Sequence, residues 1–268
     1  MQVFRWAGLI VLVVLFQTCA KNHKEDAAQT EKPLPEFRME SFSKEIQDCN
    51  EGKNYCAKVN VVYPVFVSGI QPVILRYLND SILFHVKNSL AILEQDRDLR
   101  RFSFQALADS FFLAYTTYGQ ETGFPMVWEL ETTSEVLFLS SGMVSIALEN
   151  YAYTGGAHPN SHSMLLNYNL KYGRVLSLKD LVRDVDGLKY LAEKAFRDSR
   201  DLSPDEDLNE AGFFGDNGFQ LPSNFGVTPE GLYFYYNSYE IASYAAGPTD
   251  FVLTWEELGD LARTELIK

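Results

Sequence analysis

The sequence predicts an α+β fold, an antiparallel sheet meander covered by helices, and three observations point there. Between Trp128 and Tyr172 apolar and polar residues alternate with period two, interrupted only by short glycine-bearing turns. Between Pro72 and Tyr115 apolar residues instead recur at three- and four-residue steps, the stripe of amphipathic helices. The chain has 268 residues, of which 46% are hydrophobic and 14% aromatic. That supplies a substantial core, whether one large domain or two small intertwined ones.

At the start, Arg5 precedes an apolar run from Trp6 to Phe16, followed by Gln17-Thr18-Cys19-Ala20. A short, positively flanked apolar segment that ends at a cysteine predicts a lipoprotein-type signal peptide over 1–18, with Cys19 lipidated as a membrane anchor. Ordinary secretion with an incidental Cys19 is the alternative. Residues 19–36 are polar, charged and carry Pro33 and Pro35, a composition that predicts a flexible tether. Cys49 and Cys56 flank the turn-rich Asn50-Glu51-Gly52-Lys53-Asn54. Outside the cytoplasm they would form a disulfide stapling a hairpin, with two free thiols as the alternative.

Strands are predicted over 37–46 and 57–66, the second ending or running at an edge at Pro64. A helix follows over 72–93 through Ile74, Leu78, Ile82, Val86, Leu90 and Leu93, with His85 beside its apolar face as a packed or surface residue. A second helix is capped by Ser103, carries Leu107, Phe111 and Tyr115, and ends before Gly119. Strands then run through Trp128 and Leu130, from Met143 to Tyr153, and from Ser161 to Leu170. Short helices are predicted from Ser177 and through Leu188 to about Arg200, and 204–210 is a surface helix or loop. A strand pair (224–227 and 232–236) turns at Thr228-Pro229-Glu230-Gly231. A last strand at 251–253 leads into a helix whose Thr254 and Glu257 have capping-box spacing.

The stretch Tyr151-Ala152-Tyr153-Thr154-Gly155-Gly156-Ala157-His158-Pro159-Asn160 joins two strands by a shaped turn, because paired glycines permit backbone angles that side chains forbid. Tyr153, Thr154, Gly155, Gly156, His158 and Tyr239 are the candidate ligand-binding residues. The loop either presents backbone donors to a ligand or forms only a tight strand connection. Tyr233, Tyr235, Tyr236, Tyr239 and Tyr244 crowd the later part of the chain. Such rings suit protein interfaces and sugar faces, or pack a second layer on a small sheet. His158 and His162 are spaced as helical metal ligands would be, but Pro159 and the glycines preclude the helix, and no third ligand is evident. No Gly-x-Ser-x-Gly elbow or marked carboxylate pair appears, so no catalytic residue, metal or cofactor is predicted. His162 shares the parity of Met164 and Leu166, which points it at the packed face of the sheet.

A net charge of −13 and pI near 4.8 argue against nucleic acid and slightly favour a basic protein partner.

The Tyr-Thr-Gly-Gly-Ala-His run, Leu176-Ser177-Leu178-Lys179-Asp180-Leu181, Asn224-Phe225-Gly226-Val227-Thr228-Pro229-Glu230-Gly231-Leu232 and the segment from Tyr239 to Gly247 together resemble a paired extracytoplasmic module. That module occurs in the lysozyme-sensing anti-sigma factor RsiV, beside the catalytic domain of some peptidoglycan deacetylases, and in envelope lipoproteins of unassigned function. The resemblance implies two intimately packed sub-modules, a front one over 37–168 and a rear one over 169–268. Only five residues precede the apolar run, so the extracellular module alone is expected here. The resemblance further implies a lipid-anchored binding or sensing module of the bacterial cell envelope, at the outer membrane. Lysozyme, a basic protein, or peptidoglycan fragments would be its partners. A cell-wall hydrolase or deacetylase accessory protein, and a structural envelope lipoprotein, are the alternatives.

Overall fold

A computed structural model describes residues 33–46, 55–91, 98–123 and 126–267. The signal peptide, Cys19, most of the tether and Cys49, with any bond from it to Cys56, lie outside the described residues. Residues 33–268 form one compact unit.

Strands β1 (Glu36–Ile46), β2 (Cys56–Ser68), β3 (Val127–Leu139), β4 (Met143–Tyr153), β5 (Asn160–Asn169) and β6 (Arg174–Val175) make a six-stranded sheet in sequence order. Pro35, at the expected end of the tether, is already buried against Gly69. The sheet is antiparallel as expected except for one pair: β2 and β3 run parallel. Two helices, α1 (Pro72–Leu90) and α2 (Phe104–Thr122), separate them. A crossover of that length returns the chain to the same end of the sheet, where a tight turn would have reversed it. β3 pairs with β2 only as far as Val62, so Pro64 sits where β2 has become an edge and loses no ladder bond there.

Period two puts Val59, Val61, Leu130, Ile146, Leu148, Leu166 and Tyr168 on one face, and α1 and α2 cover it with Leu78, Ile82, Val86, Leu107, Phe111 and Tyr115. Trp128 meets Phe111 with ring centroids 5.6 Å apart. Pro72 begins α1, where its missing N–H costs nothing. Ser103 caps α2, its Oγ accepting from the Ala106 N–H at 3.1 Å. α2 runs past Gly119 and stops at Gly123, whose φ of 71° closes the last turn. A lone glycine weakens a helix by only about 1 kcal/mol, too little to end one that is anchored by a buried face.

The other face is where the rear of the chain docks. Strands β7 (Phe225–Val227), β8 (Gly231–Tyr236) and β9 (Thr249–Thr254) form a second, three-stranded antiparallel sheet. It lies across β3, β4 and β5, and it buries Met143, Ser145, Leu165 and Asn167. Ser145 and Asn167 stand opposite one another in the β4–β5 register. Ser145 Oγ accepts from the Val227 N–H at 2.9 Å, and Asn167 Nδ2 donates to the Phe225 carbonyl at 2.7 Å. Beyond β6's short pairing, the outer edge of β5 is met by side chains. Asn224 takes the Leu165 N–H and gives to the Ser163 carbonyl, at 2.7 and 2.9 Å. Asn237 takes the Ser163 N–H and gives to the same carbonyl, at 2.7 and 3.0 Å.

Behind the second sheet lies α4 (Val185–Ser199), preceded by the one-turn α3 (Leu178–Leu181). Phe196 of α4 is fully buried among Phe213, Phe214, Phe219 and Tyr236, at centroid distances of 5.1–6.0 Å. The 204–210 segment is a series of turns, and Leu208 ties it into this core. Ser177–Asp180 and Thr254–Glu257 both form capping boxes, the second opening α5 (Trp255–Leu258). The closing helix is shorter than expected, because a 3-10 turn takes over at Gly259. The chain then returns to the front sheet, where Leu266 accepts from Ser140 Oγ at 2.8 Å.

Replacing Asn224 with Ala removes two hydrogen bonds and strands the β5 backbone groups in a half-buried seam. Urea unfolding of Asn224→Ala should show a loss of about 2–3 kcal/mol, given about 1 kcal/mol per bond and a further penalty for unpaired groups. A loss under about 0.5 kcal/mol would show that the clamp contributes nothing.

Candidate functional site

The β4–β5 hairpin turns through 154–159, and three contacts shape it. Gly155 has φ 81°, and a Cβ there would lie 2.0 Å from Met126 Sδ, so the methionine side chain would have to move aside. Gly156 has φ 133°, and its carbonyl accepts from the Tyr153 hydroxyl at 3.2 Å. His158 Nδ1 lies 2.8 Å from the Pro159 carbonyl and donates to it, which leaves Nε2 as an acceptor 3.4 Å from the Tyr239 hydroxyl. The imidazole stacks on Tyr244, with centroids 3.7 Å apart and planes at 17°. Tyr239 is 62% exposed and holds φ 69°, a backbone conformation uncommon for a side chain of its size. The fold therefore unites two of the candidates, His158 and Tyr239, and adds Tyr244. Thr154 is half-buried in the turn and takes no part in the ring cluster.

Beside this hairpin the face of the six-stranded sheet opposite α1 and α2 is only half covered. The second sheet crosses its Ser145 and Asn167 end, and the end nearer the hairpin stays open. Register sets the groups there: Lys58 opposite Glu129, Glu131 opposite Tyr151, Thr133 opposite Glu149, and Tyr151 opposite Ser161. Tyr235 of β8 forms the far wall. The result is a groove of about 280 Å³ lined by Glu131, Glu149, Tyr151, Ser161, His162 and Tyr235, with Thr133, Asn150 and Ser163 completing it. A smaller recess of about 210 Å³ adjoins it and shares Thr133 and Glu149.

The electrostatics are uneven. Lys58 pairs with Glu129 at 2.5 Å, and that bond raises the lysine pKa. Glu131 and Glu149 have no ion pair or side-chain hydrogen bond among the described residues. Burial pushes the Tyr235 phenol up, against a hydrogen bond with Ser163 and with help from the Glu149 charge. Burial also raises Tyr233, aided by Asp250, and raises Tyr151, aided by Glu129. All three phenols therefore remain protonated at neutral pH, near two carboxylates that have no ion pair, although Glu131 feels the Lys58 charge.

His162 has the parity of Met164 and Leu166 as expected and stands opposite Asn150, but it is exposed rather than packed, because the helical cover stops one step earlier. There Asn150 Nδ2 donates to Ser89 and Glu131 carbonyls and to Thr132 Oγ1 at 3.1–3.2 Å, which closes the layer. His85 is half-buried against Phe84 on α1, where burial lowers its pKa. Glu131 and Glu149 were not among the sequence candidates. Their only signal is that they occupy the polar parity of two amphipathic strands, as any solvated glutamate would. Among the described residues no group of three or more His, Cys, Asp and Glu could hold a metal ion, and no helix is long and apolar enough to cross a membrane.

Residues 50–161 match the family model described as deacetylase PdaC, and residues 179–256 match that of a protein family of unknown function, DUF3298. Two solved structures share the fold. One is a DUF3298 family member from Bacteroides fragilis, at 18% identity and a TM-score of 0.66, covering 87% of this chain and 95% of that one. The other is a DUF3298 family protein from Pseudomonas aeruginosa, at 23% identity and a TM-score of 0.58, covering 88% and 98%. No curated protein matches the chain. The front of the chain is thus similar to one family and the rear to another.

Gly155→Ala combines a left-handed backbone with the Met126 clash, whereas Gly156→Ala strains the backbone in open space. Denaturant unfolding should show each variant losing about 1–3 kcal/mol, Gly156→Ala the more, because φ 133° lies further from the left-handed region than φ 81°. A larger loss for Gly155→Ala would show that Met126 cannot move aside.

Proposed function

We propose that the chain is a lipid-anchored binding module of the cell envelope that captures a cationic partner along the open face of its six-stranded sheet. The observation that carries this is the groove itself: Glu131 and Glu149 unpaired, between the rings of Tyr151 and Tyr235. Unpaired carboxylates beside protonated phenols favour ammonium and guanidinium groups, and aromatic walls add cation–π attraction. The matches to the deacetylase PdaC and DUF3298 models support an envelope setting. The signal-like first eighteen residues and Cys19 support the anchor. A lysozyme-like basic protein and peptidoglycan fragments are the partners this surface fits. The exposed His158–Tyr239–Tyr244 cluster would form the hairpin-side rim.

Calorimetric titration of residues 33–268 with c-type lysozyme and with peptidoglycan fragments, at low and moderate salt, tests the proposal. Binding should weaken as salt rises, and Glu149→Gln should weaken it about tenfold. Absence of heat with both ligands, or binding indifferent to salt and to Glu149→Gln, counts against it. The description of the family matched by 50–161 favours a second reading, an accessory to deacetylation of a glycan. Acetate release from an acetylated cell-wall glycan, compared with and without the chain beside a deacetylase, distinguishes an accessory from a plain binder.

A further inference from the structure

The lining of the groove is richer than capture of a lysine or arginine side chain requires. Such a side chain brings one charge on an apolar stem, and two carboxylates with two aromatic walls would suffice for it. Here Thr133 and Ser161 also face the cavity, and their side chains have no hydrogen-bond partner among the described residues. An apolar stem would leave those two hydroxyls without a partner, at a cost for each. A cationic polyol would use them.

The dimensions agree. A volume of about 280 Å³ is close to the lower end of small-molecule sites and accommodates about one sugar ring. The Tyr151 and Tyr235 rings offer flat faces for the C–H side of a pyranose. Glu131 and Glu149 lie diagonally on neighbouring strands, since Glu131 pairs with Tyr151 and Thr133 with Glu149. Diagonal neighbours on one sheet face are within reach of a single group held between them. The adjoining recess continues the same chemistry, since Thr133, Glu135 and Glu149 line it beside Ala147.

We infer that this groove is a subsite for a glycan whose sugars carry free amines, with one ring between Tyr151 and Tyr235, its ammonium on Glu131 and Glu149, and its hydroxyls on Thr133 and Ser161. This rests on the groove being the binding surface proposed above. N-acetylation would replace the ammonium with a neutral, larger amide and leave both carboxylates uncompensated. The site therefore discriminates between the de-acetylated and acetylated forms of the same sugar, and the second recess takes the following ring.

The test is calorimetry on the full chain in detergent, in mildly acidic buffer, with a β-1,4-linked glucosamine oligomer. The N-acetylated oligomer of equal length and oligolysine serve as comparisons. The glucosamine oligomer should bind at least about tenfold tighter than either comparison. Glu131→Gln and Glu149→Gln should each weaken it about tenfold, and Tyr235→Leu, which removes the aromatic wall, should weaken it at least about fivefold. Circular dichroism on each variant separates lost binding from lost folding. Equal affinity for the acetylated oligomer, or an undiminished affinity in both glutamine variants, overturns the inference. Oligolysine or lysozyme binding without glucosamine binding also overturns it and leaves the cationic-partner surface standing. No binding of any cationic ligand overturns both.

Discussion

The open edge of β5 is the constraint from which the rest of this structure follows. A strand edge presents unpaired N–H and C=O groups that water, another strand or a side chain must satisfy. Here β6 pairs with only two residues of β5, and two asparagines answer most of the remainder. An asparagine side chain carries the same donor and acceptor as a peptide group, so Asn224 and Asn237 extend the ladder without adding a strand. They flank the open end of the antiparallel β7–β8 pair, so that both strands are held against β5 there. Ser145 and Asn167 complete the docking by bonding to the β7 backbone.

That docking explains why one sheet serves two cores. The helix-covered face is an ordinary half of an α+β layer, with its apolar parity inward. Its reverse is apolar only where the second sheet lies on it, around Met143, Ala147 and Leu165, and is charged elsewhere. The second sheet is too short to cover the whole reverse face. A groove remains between the uncovered part of β3 and β4 and the Tyr235 side of β8. The same geometry brings the loop after β8 against the β4–β5 hairpin, so that His158 stacks on Tyr244.

The groove and the ring cluster differ in what they can do. The cluster is held by contacts among its own members, with the imidazole engaged at both nitrogens. The groove holds carboxylates without an ion pair, hydroxyls without partners and protonated phenols. Polar groups left unsatisfied in a recess are costly unless something completes them, which makes the groove the stronger site of the two. Lys58 answers them only in part, since it is bonded to Glu129 and meets Glu131 only through the charge.

The amino-acid sequence by itself determined the elements and most of their order. Alternation at β3 to β5, the stripes of α1 and α2, the Ser103 cap and the Thr254–Glu257 box are local patterns, and each operates within a few residues. The parallel β2–β3 pairing was less legible, since pairing direction depends on where a crossover returns the chain. The site was legible in part. His158, Tyr239 and the glycine turn announced themselves through unusual residues, and Tyr151 and Tyr235 stood among the conspicuous tyrosines. Glu131 and Glu149 did not, because a glutamate on a solvated parity looks the same whether it faces bulk water or a groove. Ser145 and Asn167 carry no distinguishing local signal either, and both are buried. Only the tertiary structure decided which polar face would be covered, which would stay open, and which distant segments would meet. Those outcomes depend on contacts across sixty to eighty residues of sequence, such as Asn224 with Leu165 and Tyr239 with His158, and no local pattern encodes them.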